Sequence, residues 1–119
     1  MSEMPEGPRY LKLIFTGNEL EVVRAACSAV AMLDHYRMMH EPAEVGLEEA
    51  ARQAKKASDS EMAEGLAAAF KPDQPVLIGR EDLALVLHSL KEYGRSAPEE
   101  HAGAVKDVVE KVERVCRQG

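Results

Sequence analysis

Residues 16–39 read TGNELEVVRAACSAVAMLDHYRMM, and this stretch decides the fold class. Thr16-Gly-Asn-Glu19 has the form of a capping box, in which the Thr16 hydroxyl accepts from a first-turn amide while the Glu19 carboxylate reaches back. Asn18 is a rival N-cap two residues on. Two apolar stripes follow at helical spacing: Leu20, Val23, Cys27 and Val30, and beside them Val22, Ala26, Ala29, Leu33 and Tyr36. A face that wide predicts a central helix to about Met39, with Glu19, Glu21, Arg24, Ser28 and His35 toward solvent. His40-Glu-Pro42 ends it, because the residue before proline disfavours the α region.

Upstream, the aromatic and β-branched run YLKLIFT (10–16) predicts a short strand with Leu11, Leu13 and Phe15 on its core face. Residues 1–8, MSEMPEGP, read as a disordered tail. Downstream, Pro42 suits the first turn of a helix over 43–57, with Leu47, Ala50, Ala51, Ala54 and Ala57 inward. Ser58-Asp-Ser-Glu61 is a second capping box and predicts a kink or fresh start, with Met62, Leu66 and Phe70 inward. PVLIG (75–79) is a second strand-like run. Arg80-Glu-Asp82 then opens a helix to about Tyr93, with Leu83, Val86, Leu87 and Leu90 as core and Gly94 as its cap. Ser96-Ala-Pro-Glu99 starts the last helix, which runs to about Arg117.

The expected fold is mainly α: residues 9–119 form a single domain, a four- to five-helix bundle with a minor two-stranded β ribbon from residues 10–16 and 75–79. LIFTGNELEVV (13–23) and VLIGREDLALVL (76–87) echo one another as strand, glycine, acidic helix start and apolar helix. A ribbon built from the two strands needs helices over one face, since two strands alone are marginal.

A chain of 119 residues with 45% hydrophobic and 30% charged residues can build one core without metal or disulfide staples. A formal net charge of −6 argues against binding a nucleic-acid backbone, which rests on Lys and Arg. The basic concentration at Arg52, Lys55, Lys56 and Lys71 reads as a solvated helix face. Cys27 and Cys116 sit among apolar residues, and the polar, acidic N-terminus does not resemble a signal peptide. Both are expected as reduced thiols of a cytoplasmic protein. The longest apolar stretch is too short to span a bilayer, so no membrane partner is expected.

Three clusters bear on function. His35, His40, Glu41 and Glu44 are ligand types that a metal favours, gathered at a predicted helix end. His35 and His40 are five apart, about 140° around an ideal helix, so they meet only if the helix stops between them. Val105, Val108, Val112 and Val115 follow a coiled-coil-like 3–4–3 spacing flanked by charges, a candidate interface through which the chain would form a homodimer. On that reading a charge at Val108 leaves a folded monomer. His88 falls beside the Leu83–Leu87–Leu90 face and His101 in the first turn of the last helix, without the context of a nucleophile or a phosphate loop. No cofactor is expected. The leading expectation is a non-enzymatic protein-interaction or regulatory module that self-associates. Behind it stand a small-ligand or metal binder at the His35–Glu44 corner, and a small enzyme whose acid–base residues meet only in three dimensions.

Overall fold

Two strands and four helices build the chain in a computed structural model that describes residues 10–40 and 46–118, the side chains of His40 and Gln118 excepted. In order they are β1 (Tyr10–Leu13), α1 (Gly17–His40), α2 (Leu47–Ala69), β2 (Val76–Gly79), α3 (Arg80–Gly94) and α4 (Glu99–Gln118). This is the mainly α bundle with a minor ribbon that the periodicity predicts. β1 and β2 pair antiparallel, Tyr10 opposite Gly79 and Leu13 opposite Val76. Leu11, Leu13 and Ile78 turn inward while Tyr10, Lys12 and Leu77 stay exposed, the alternation of a half-covered ribbon.

The capping box forms as its residues imply: the Thr16 amide donates to Glu19 Oε1 at 2.8 Å and the Glu19 amide donates to Thr16 Oγ1 at 3.1 Å. Lys111 of α4 completes this junction. Its ammonium donates to the Ile14 carbonyl at 2.5 Å and to Glu19 Oε1 at 2.7 Å, 5.7 Å from the Phe15 ring centroid. Burial pushes the Glu19 carboxyl up, but the bonds from Lys111 and Thr16 outweigh it and hold Glu19 below its ordinary value. Phe15 stacks on Phe70 at 5.7 Å, and the amide of Asp73, at φ 58°, donates to the Phe15 carbonyl at 2.7 Å. One strand end thus anchors α1, α4 and the loop after α2.

α1 packs on α2, α3 and α4. Its side of the core is Leu20, Val23, Ala26, Cys27, Val30 and Ala31; α3 answers with Leu83, Val86 and Leu90. α2 contributes small residues, Ala57, Ser60, Ala63 and Ala67, which let it approach α1 closely. Arg24 ties their base together, donating to the carbonyls of Ala67 at 3.2 Å and Phe70 at 2.6 Å, groups that the end of α2 leaves without helical partners.

Several expectations are corrected. α2 runs unbroken through Ser58–Glu61: Ser58 is exposed on the helix surface, and the Ser60 hydroxyl donates to the Asp34 carboxylate across the helix pair. Leu47, Ala50, Ala51, Ala54 and Met62 are exposed instead of inward. α2 starts at Leu47 with Gly46 as its N-cap; residues 41–45, like the tail at 1–8, lie outside the described residues. Gly94 closes α3 as its last residue, and the C-cap is Arg95 in the right-handed region. A Cβ at Gly94 would stand 3.4 Å from Val105 Cγ1, an ordinary contact with α4. The valine stripe is claimed by the chain itself: Val105, Val108 and Val112 are buried and Val115 is half-buried.

Two outcomes follow from that burial. Val108→Glu should abolish the cooperative fold, read as loss of helical circular dichroism, and a folded variant would return this stripe to the surface. Leu83→Ala should lower the urea-unfolding free energy by about 2–5 kcal/mol, whereas Met32→Ala should leave it nearly unchanged.

Candidate interaction surface

α1 carries apolar side chains both on its core side and on the opposite side, with exposed Glu21, Arg24, His35 and Arg37 among them, so polar and apolar groups are little segregated. Its core side is covered, yet the opposite face holds Ala25, Ala29, Met32, Tyr36 and Met39, at a 4–3–4–3 spacing that keeps them in one row, with Leu33 at its edge. Met32 is 70% exposed, Tyr36 61% and Met39 64%. The second stripe of the sequence reading is therefore split. Ala26 joins the core and Val22 lies half-buried against it, while Ala29, Leu33 and Tyr36 face outward.

The outward face of α2 adjoins this row. Leu47, Ala51, Ala54, Ser58 and Gly65 recur at 4–3–4–7 spacing along it, all exposed, with Leu47 at 91% and Met62 flanking. A shallow groove of about 470 Å³ marks the seam, lined on α1 by Ser28, Ala31, Met32 and His35 and on α2 by Glu61 and Glu64. Six large side chains, Met32, Leu33, Tyr36, Met39, Leu47 and Met62, are each half or more exposed, or nearly so. At roughly 200 Å² for a side chain of that size, their separate exposures sum to on the order of 800 Å², in two rows with Ser28, His35, Glu61 and Glu64 along the seam between them.

The α3 side of the hairpin is polar. A cleft of about 470 Å³ is lined by Asp34, Lys56, Asp59, Ser60, His88 and Ser89 together with Leu85, and a neighbouring one of about 510 Å³ shares Asp34 and Lys56. Its groups serve the fold. Asp34 is buried and accepts a hydrogen bond from the Ser60 hydroxyl directly, so no imidazole stands between serine and carboxylate as a hydrolytic triad needs. Burial pushes the Cys27 thiol up to about 12, with a hydrogen bond from Ser89 opposing and Glu64 adding to the rise. A thiol held protonated is no nucleophile. Cys27 and Cys116 are both free.

The sequence-derived metal corner is only partly in view. His35 is exposed at the hairpin seam, whereas the His40 side chain, Glu41 and Glu44 lie outside the described residues. Among the described residues no three His, Cys, Asp or Glu side chains gather as a metal would require. Arg52 and Lys55 of the basic concentration pair with Glu49 at 2.9 Å and Asp59 at 3.0 Å on the exposed flank of α2. No helix among the described residues is long and apolar enough to cross a membrane. What the sequence reading missed is the hairpin's outward face, whose signal was the run of Met, Leu and Tyr on the second side of α1.

The Cys27 environment sets a pH dependence. Below pH 9 the thiol is protonated folded or unfolded and contributes no slope. Above pH 9 the unfolded thiol loses its proton while the folded one keeps it to about 12, so stability falls as pH rises. Wild type should lose about 1.4 kcal/mol per pH unit in that window relative to Cys27→Ala. Parallel stability curves for the two proteins between pH 9 and 11 would refute the buried thiol.

No family model, curated protein or solved structure matches the chain, so its own geometry carries the functional reading.

Proposed function

We propose that the chain is a non-enzymatic protein-interaction module that docks a helical partner on the outward face of its α1–α2 hairpin. One observation carries this reading: α1 is apolar on two opposite faces and its own domain covers only one. Exposed methionines suit such a role, because their unbranched, polarisable side chains repack against varied surfaces. An amphipathic partner helix laid into the seam would meet Met32, Tyr36, Met39 and Leu47 as anchors at helical spacing. The same observation moves the expected contact away from the valines of α4, which are spent on the core. The acidic net charge and the two free thiols support a cytoplasmic setting.

Methionine oxidation tests the surface without knowledge of the partner. Dilute peroxide should oxidise Met32, Met39 and Met62 readily in purified chain held at nanomolar concentration. In an extract of the cells that make the protein, the same residues should react several-fold more slowly, read by mass spectrometry of their peptides. Equal rates in both settings overturn the docking role.

A further inference from the structure

We propose that the partner is a second copy of this chain, docked face to face with the two hairpins antiparallel, so that the tip of each lies over the base of the other. The inference rests on the reading of this surface as a docking site and names its occupant. Area is the first argument. The open apolar surface, on the order of 800 Å², is about what each partner gives to a standard stable interface, and a two-fold pairing lets one patch cover itself.

Size is the second. The tip of the hairpin carries bulk, Tyr36, Met39 and Leu47, while its base carries Ala25, Ala29 and Gly65, with Met32 between. Antiparallel pairing sets the bulky tip of one copy into the small-residue base of the other and brings the two Met32 side chains together near the axis. Parallel pairing would set bulk on bulk and leave voids over the alanines, which interiors do not tolerate well.

Cysteine crosslinking of the full chain reads the arrangement. Cys116 is replaced by serine and the buried Cys27 retained; Met32→Cys and Leu47→Cys are made separately in that background and checked for unchanged circular dichroism. Antiparallel pairing places the two residue-32 positions side by side and the two residue-47 positions about 40 Å apart by helix rise, beyond the 7 Å that a disulfide can bridge. Mild oxidation at tens of micromolar should therefore turn most Met32→Cys protein into a covalent dimer and leave Leu47→Cys monomeric. Crosslinking at Leu47→Cys, or at neither position in a protein that sediments as a dimer, overturns the antiparallel arrangement while the docking role stands. A wild type that sediments as a monomer at the same concentration overturns the second copy as partner, and the oxidation footprint then decides the docking role separately.

Discussion

Water is excluded from α1 on one side only, and this asymmetry governs the rest of the molecule. Leu20, Val23, Ala26, Cys27 and Val30 are sealed by α2, α3 and α4. Helix lengths explain why the seal stops there. α1 has 24 residues and α3 has 15, about 36 Å against about 22 Å of rise. α3 cannot follow α1 to its end, so the last turns of α1 and the first turns of α2 project together with little beneath them. Burial changes accordingly along α2: Ala57 is the first fully buried residue, ten positions after the helix begins.

The base of the hairpin is fixed by polar contacts as much as by packing. Lys111 reaches the Ile14 carbonyl and the capping carboxylate of Glu19, while Arg24 occupies the carbonyls at the end of α2. Each cation meets backbone groups that a helix or strand end would otherwise leave to water. Arg80 does the same for α4, donating to the Cys116 carbonyl at 3.0 Å. These contacts tie the base of the hairpin to β1 and α4, and a patch on a helix pair loses less entropy on docking than one on a loop.

Potentially reactive groups are absorbed by the same architecture. Asp34, Ser60, Ser89 and Cys27 are buried where α1, α2 and α3 meet, and they satisfy one another. Among the described residues no buried side-chain polar atom lacks a hydrogen-bond partner. The Asp34–Ser60 bond joins α1 to α2 and the Cys27–Ser89 bond joins α1 to α3, so the two pairs specify how three helices register.

Local sequence determined the start of α1 and the inward faces of β1 and α3. Thr16 and Glu19 cap α1, Leu11 and Leu13 turn inward from β1, and Leu83, Val86 and Leu90 form the core of α3, because capping and period are properties of a few neighbouring residues. The sequence was silent where two faces of one helix compete. The valines of α4 read as a contact surface and the Leu33 and Tyr36 side of α1 as core, and nothing local says which one the domain will cover. Ser60 likewise reads as part of a helix start until Asp34 is placed opposite it. Only the tertiary structure decided these matters. α4 lies against the core through Val105, Val108 and Val112, and among the described residues no further helix covers the Met32 and Met39 side of α1, because each face of the fold can be buried only by an element that reaches it.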